Sequence, residues 1–365
     1  MLESPKTERQ LMEQLLETLR ALPDVHADLG NREPVALAGK QGHDAQIDLT
    51  IAGRSLTLLI EVVKAVYPRD VRQVLWQVKD FSQKTPKEQG ADETLPLLLA
   101  ESISPGAKDL LKSERIGYYD SGGSLYLPAH GAYLYIDRPP PKTMTNAMRT
   151  LFSGRRAQVL HTLLMRPLHW FSVKELAEQA LVSPATASQV LTELNRFDWL
   201  ISRGQGPNKE RHLKEPAALL DAWVKQLASL RPPTLRRYYV PVMTTEHLLE
   251  RIGQVFAAQQ IEYAISHEAA AQRYAPFLSN ISQIRCRLLT SSATYVALGE
   301  LGARIVNEGA NLVLLEANTP GELLFRAQVG GVWLASPIQI YLDLLRGEGR
   351  TKEMAEHLRK ERIGY

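Results

Sequence analysis

The chain has 365 residues, 44% of them hydrophobic and 23% charged, with a formal net charge of +3. This composition buries real cores and excludes the disordered class. So small a net charge leaves nucleic-acid binding to be argued from local clusters alone.

The single cysteine, Cys286, excludes an internal disulfide framework and a cysteine-based zinc site, and suits a reducing compartment. It lies in the strand-like run IRCRLL, which predicts a buried structural thiol. MLESPKTERQ carries no apolar signal core, and no apolar run approaches the ~20 residues of a membrane helix. The expectation is a cytoplasmic protein with no membrane partner.

Length alone predicts two or three domains at roughly 100–200 residues each. Two proline runs mark the breaks: DRPPPKT, Asp137 to Thr143, and LRPPT, Leu230 to Thr234. Proline cannot continue a helix or a central strand, so such runs act as semi-rigid spacers. The predicted domains are 1–138, 144–230 and 235–365.

The first part alternates between helix and strand. Leu11, Leu15, Leu16 and Leu19 recur at helical spacing over Glu8 to Leu22. Strands are expected at Ala45–Ile51 and Ser55–Val63, followed by a helix near Val71–Phe81. Leu95–Ala100 reads as a buried strand, Pro105–Glu114 as a helix, and IGYYD, SLYLP and AYLYI as short strands. That order predicts an α/β domain with a mixed sheet.

Asp48 in IDLTI and Glu61 and Lys64 in LLIEVVKAV raise a chemical question. Nucleases of the restriction-endonuclease superfamily carry Asp, then Glu-x-Lys, and the first part resembles that fold over most of its length. Side chains alternate faces along a strand, so a lysine in register with Glu61 would stand at 63, which is Val63. Lys64 is expected to point to the opposite face unless a bulge re-aims it. An acid pair alone could still hold magnesium, but the developing phosphate charge would lack its cation. Asp48, Glu61 and Lys64 therefore read as a vestigial nuclease site, with no catalytic residue, metal or cofactor assigned. The alternative is a metal-dependent DNA endonuclease targeted by the middle domain.

The middle part carries the clearest functional pattern. Val159, Leu160, Leu163 and Leu164 face inward on a helix over Arg155–Met165. Ser172 and Glu175 are spaced as a capping box for a second helix. After LVSP, Ser183 as N-cap and Pro184 at the first helical position start a third. Its buried stripe is Ala187, Val190, Leu191, Leu194 and Phe197. The other face holds Thr186, Ser188, Gln189, Thr192, Asn195 and Arg196, mostly small or amide side chains that can approach base edges without a charge penalty.

A polar hairpin follows, WLISRGQGPNKERHLK, with Arg203, Lys209, Arg211 and Lys214 along it. This matches winged helix-turn-helix geometry and resembles bacterial regulators of that class. The predicted base contacts are Thr186, Ser188, Gln189, Thr192 and Asn195. The predicted phosphate contacts are Arg155, Arg156, Arg196, Arg203, Lys209 and Arg211. The competing reading is a scaffold packed against protein. The expected partner is double-stranded DNA, read by a homodimer because paired half-sites are the usual target.

The third part is mixed, with helices near Thr245–Gln260 and His267–Phe277, strands at IRCRLLT and NLVLLEA, and a helical region after Ser336. YAISHEAAAQRYAPFL, GANLVLLEA, ASPIQIYLDL and GRTKEMAEHLR together resemble the AbiEi-type antitoxin and regulator family of type IV toxin–antitoxin systems, in its longer form. The resemblance implies DNA binding, autoregulation of an operon, and a cognate toxin protein encoded beside it. The C-terminal domain of such proteins is similar to nucleotidyltransferases in places. A working transferase needs a Gly-Ser turn followed by Asp-x-Asp, which this sequence lacks. His267 beside Glu268 reads as a helix start and Asp343 as a structural partner.

Overall fold

A computed structural model of the chain describes residues 7–30, 44–72, 93–129, 132–278 and 280–365. The architecture is multidomain α/β, with mixed sheets and helical bundles. Contacts group the chain into two units: residues 1–148 with 193–198, and residues 149–192 with 199–365. The second proline run thus lies inside the second unit.

In the first unit, α1 (Glu8–Arg20) opens with a full capping box. Gln10 N donates to Thr7 Oγ1 at 3.3 Å and Thr7 N donates to Gln10 Oε1 at 2.9 Å, so two free donors are satisfied at once. Seven strands follow: β1 (Val25–Leu29), β2 (Ala45–Ile51), β3 (Arg54–Val66), β4 (Glu93–Ile103), β5 (Gly117–Asp120), β6 (Leu125–Ala129) and β7 (Ala132–Ile136). They lie in chain order in one sheet. β3, β4 and β5 are parallel and the remaining neighbours antiparallel.

Both faces of this sheet are covered. Leu11, Leu15, Leu16 and Leu19 of α1 pack with Ile47, Leu49, Leu58, Ile60, Leu97 and Leu99 on one side. On the other, Ala107 and Leu111 of α2 (Pro105–Ser113) pack with Leu98, Ala100, Tyr118 and Tyr126. Two helical turns' worth of leucine buried against strands is the dominant stabilising term here, at about 1.5–3 kcal/mol per side chain. The helix expected over Val71–Phe81 falls mostly outside the described residues. β1 went unread in the sequence; VHADL alternates only weakly, and its pairing with β2 makes it a strand.

The second unit begins at Arg149, within α3 (Lys142–Leu151), which follows the first proline run. It contains α4 (Gly154–Met165), α5 (Val173–Gln179), α6 (Pro184–Arg196, its last turn grouped with the first unit), an antiparallel hairpin of β8 (Leu200–Arg203) and β9 (Glu210–Leu213), and α7 (Pro216–Gln226). A second seven-stranded mixed sheet follows, from β10 (Leu235–Tyr239), β11 (Tyr263–Ser266), β12 (Ile284–Leu288), β13 (Arg304–Ile305), β14 (Leu312–Glu316), β15 (Ala327–Val329) and β16 (Val332–Leu334). Its order is β13-β10-β14-β12-β11-β16-β15. Between and after these strands come α8 (Thr245–Ala258), α9 (His267–Tyr274), α10 (Ser292–Glu300), α11 (Pro337–Leu344) and α12 (Thr351–Leu358). α9, α11 and α12 pack together, and α11 also meets α4.

Cys286 on β12 is fully buried, and burial pushes its thiol well above the usual range, as suits a structural residue. Among the described residues, no helix is long and apolar enough to cross a membrane.

Candidate functional site

The outward face of α6 comes first. Ser183 Oγ accepts from Thr186 N at 3.2 Å, capping the helix as its sequence dictates. Ala187, Val190, Leu191 and Leu194 are buried, whereas Ala185, Ser188, Gln189, Thr192 and Arg196 are exposed. Thr186 and Asn195 are half-buried on the flanks of that stripe. Thr192 Oγ1 donates to Ser188 O at 2.9 Å, which leaves its hydroxyl oxygen able to accept.

α4 lies beside this face. Arg156 Nη2 donates to Gln189 Oε1 at 3.2 Å, so a guanidinium from the start of α4 meets the central amide of α6. Arg155, next to it, is exposed. Two elements 33 residues apart thus contribute to one polar surface. Ser172 Oγ caps α5 by accepting from Glu175 N at 3.2 Å. The Glu175 carboxylate, expected to complete a capping box, instead engages His169 Nε2 at 2.7 Å and Gln179 Nε2 at 3.1 Å.

The hairpin is registered as Leu200↔Leu213, Ile201↔His212, Ser202↔Arg211 and Arg203↔Glu210. Phe171 adds a bridge to Arg211. The tip, residues 204–209, is narrow. Gly204 has φ +72°, and a Cβ there would stand 2.6 Å from Asn208 O, so only glycine fits.

The predicted cations are not equivalent. Arg203 is bonded to Glu210 at 2.7 Å and lies over the Trp170 ring with its guanidinium 4.3 Å from the centroid. Arg211 is half-buried, donates to Lys209 O at 3.2 Å, and is held below the usual guanidinium range by burial. Arg196 pairs with Glu193 at 3.2 Å and sits over the Tyr67 ring at 5.6 Å. Within the first unit, Arg72 is bonded to Asp198 at 2.7 Å. The Trp170 platform under Arg203 was not read from the sequence. Its signal is the aromatic pair of Trp170, ahead of α5, with His212 on β9, ring centroids 4.2 Å apart, which no linear spacing reveals.

The acidic face of the first sheet is a different matter. Asp48 stands opposite Thr57, four residues along β3 from Glu61, and its carboxylate accepts from Gln46 Nε2 at 2.9 Å and Thr57 Oγ1 at 3.4 Å. At about 3.3 Å per residue, that puts roughly 13 Å of strand between Thr57 and Glu61, so Asp48 and Glu61 do not form a pair.

The acid beside Glu61 is Asp44, which the sequence reading missed. Asp44 N donates to Ile60 O at 2.9 Å, and Asp44 Oδ2 accepts from Val62 N at 2.7 Å. Burial and the neighbouring Asp44 charge raise the Glu61 carboxyl above its ordinary value. β3 and β4 keep one register through Val63↔Ala100 and Ala65↔Ser102, with no inserted residue, and Lys64 is exposed. A lysine does reach the Glu61 side of the sheet, but it is Lys108, buried and held by Asp120 at 2.7 Å and Ser124 at 2.6 Å. Among the described residues, no group of three or more His, Cys, Asp or Glu side chains could hold a metal ion.

A third cluster is buried in the second unit. Arg287 donates to Glu322 at 3.1 Å and to Asp343 at 3.0 Å. Asp343 also accepts from Ser266 and from Gln339 Nε2 at 2.9 Å. His267, the first residue of α9, holds φ +56° and places Nδ1 4.0 Å from Asp343. His161 of α4 meets Ser336 Oγ at 2.6 Å. Burial lowers both histidines to about 4, so they are neutral at pH 7. Asp343 is held below the usual carboxylate range by Arg287 and His267, against the opposing effect of burial. Ser266, Ser336, His161, His267 and Asp343 are all at most 5% exposed.

No family model, curated protein or solved structure matches the chain.

Proposed function

We propose that the chain is a sequence-specific, double-stranded-DNA-binding transcriptional regulator. On this reading α4, α5, α6 and the β8–β9 hairpin form a winged helix-turn-helix. The observation that carries it is the Arg156–Gln189 bond on an exposed face otherwise made of Ser188, Thr192 and Ala185. A bidentate-capable amide flanked by small side chains and backed by a cation suits a major-groove floor edged by phosphate.

Gln189 would read bases, with Thr186, Ser188, Thr192 and Asn195 around it. Arg155, Arg156 and Lys209 are the cations best placed for phosphate. Arg156 is bonded to the neutral Gln189 amide, whereas Arg196 and Arg203 are paired with carboxylates and Arg211 is half-buried against Lys209 O, and each of these three would have to exchange a partner for a phosphate oxygen. Arg203 pays least for that exchange, because Trp170 holds its guanidinium plane whether or not Glu210 is engaged.

The first sheet fits a restriction-endonuclease-like scaffold without a cutting centre. Asp44 and Glu61 give the endonuclease reading its one specific support, since they are adjacent acids on a mixed sheet. Val63 occupies the position an in-register lysine would need. Plasmid incubated with magnesium or manganese and excess protein should stay intact. Cleavage that disappears in Glu61→Ala would establish the endonuclease instead.

A cytoplasmic homodimer acting as the antitoxin of a type IV operon follows from the sequence resemblance. Co-purification with the product of a neighbouring gene tests that part. The DNA reading itself is tested by gel shift: Gln189→Ala should relax sequence preference, and Lys209→Ala should weaken all duplexes alike. Unchanged binding in both variants would refute it.

A further inference from the structure

α4 is buried from Gln158 through Leu164 without a break, so it has no solvent face over nearly two turns. Val159, Leu160, Leu163 and Leu164 supply the apolar part of that burial. Gln158 and His161 are polar yet only 6% and 5% exposed, and both are bonded outside the helical module. Gln158 Nε2 donates to Thr319 Oγ1 at 2.8 Å, and His161 Nε2 meets Ser336 Oγ at 2.6 Å. The Phe325 ring closes over His161 with centroids 5.3 Å apart.

Thr319 and Ser336 belong to two separate segments after the second sheet's β14, and one buried cation fastens both. Glu322, three residues after Thr319, accepts from Arg287 and from Asn318 N at 2.9 Å. Asp343, seven residues after Ser336 on α11, accepts from the other arm of Arg287. The seat is also shaped for one occupant. A Cβ on Gly321 would meet the Gln158 amide at 2.2 Å, and Gly321 has no positive φ that would otherwise demand glycine.

We propose that Gln158 and His161 are positioning residues through which the C-terminal domain fixes α4, and with it the alignment of Arg155, Arg156 and Gln189 on DNA. This rests on the DNA-reading proposal above and adds to it where the reading surface gets its rigidity. A helix whose first turn holds phosphate while its second turn is bonded to the capping residues Thr319 and Ser336 cannot tilt without breaking buried hydrogen bonds. The C-terminal domain is then part of the recognition apparatus.

Gly321→Ala is the test. The new methyl displaces the Gln158 amide and leaves the backbone and the Arg287 cluster in place. Two readouts are taken on the full chain. Without DNA, amide hydrogen exchange in α4 should accelerate by roughly tenfold while the second sheet stays protected and Tm moves by about 2 °C or less. With DNA, affinity for the preferred duplex should fall roughly fivefold, with affinity for a random-sequence duplex unchanged. A merely structural role would not move that ratio.

In a Gln158→Ala background the methyl meets no amide, so Gly321→Ala should have no further effect. Unaltered α4 exchange in Gly321→Ala, an unaltered affinity ratio, or additive effects in the double variant would each overturn the proposal. A wild-type chain that binds no duplex overturns the DNA reading and the alignment role together, and exchange alone then decides whether the latch fixes α4.

Discussion

The outward face of α6 and the acidic face of the first sheet were both read from motifs of a dozen residues or fewer, and the structure treats them differently. On α6 the residues expected together are together, and Arg156 joins them from α4. On the sheet, Asp48 and Glu61 are separated, and Asp44 takes the place beside Glu61. The difference lies in what fixes the geometry. A helix carries its own periodicity, so one cap and one apolar stripe place every other side chain. A strand fixes only which face a residue occupies; its neighbour is set by the register against another strand. Asp44 and Asp48 have the same parity, and only the Ala45↔Ile60 pairing decides between them.

The comparison extends to the buried cluster around Arg287, where the largest effects are expected. Arg287→Met leaves Asp343 and Glu322 without their cation in a dry interior and should cost about 3–5 kcal/mol in denaturant unfolding. An exposed pair such as Arg350–Glu353 should be worth less than about 1 kcal/mol by the same assay. If the two losses were alike, the Arg287 cluster would not be the anchor described here.

Acid should act on the same region. His161 and His267 fall from an ordinary value near 6.5 to about 4 in the folded chain, so the unfolded chain binds protons first. Stability attributable to them is complete above pH 6.5, declines as pH drops toward 4, and amounts to roughly 3 kcal/mol for each. Replacing His161 with leucine together with Ser336→Ala should flatten that part of the profile. A profile equally steep in the double variant would show that other groups carry the pH dependence.

The α6 surface is expected to behave oppositely, with changes that affect binding and leave stability alone. Gln189→Ala should cost about 1–3 kcal/mol of discrimination at the base it contacts. Lys209→Ala should lower the salt slope of binding by about one unit for every sequence. The smallest effect belongs to the sheet. Glu61→Gln should change stability at pH 7 by about 0.5 kcal/mol or less, toward greater stability. Its carboxyl is raised by burial and by Asp44, so the folded chain binds the proton more readily than the unfolded one, and the gain should vanish as pH falls through the ordinary glutamate range. A loss of stability at pH 7 would contradict this account of Glu61.

Much of the chain was legible beforehand for local reasons. The Leu11, Leu15, Leu16 and Leu19 stripe, the Ser183–Pro184 helix start and the buried strand at Leu95–Ala100 are each specified by neighbours in sequence. The seat of α4 was illegible because Gln158 and His161 look like solvated positions until Thr319 and Ser336, more than 160 residues away, are brought against them. The Trp170 platform under Arg203 escaped for the same reason.

The most direct test of the central claim is selection of bound sequences from a random duplex pool by the wild-type chain and by Gln189→Ala. The account predicts an enriched motif with wild type and loss of preference at one or two positions within it for the variant. Equal recovery of all sequences by the wild-type chain, or an identical motif from both, would contradict it.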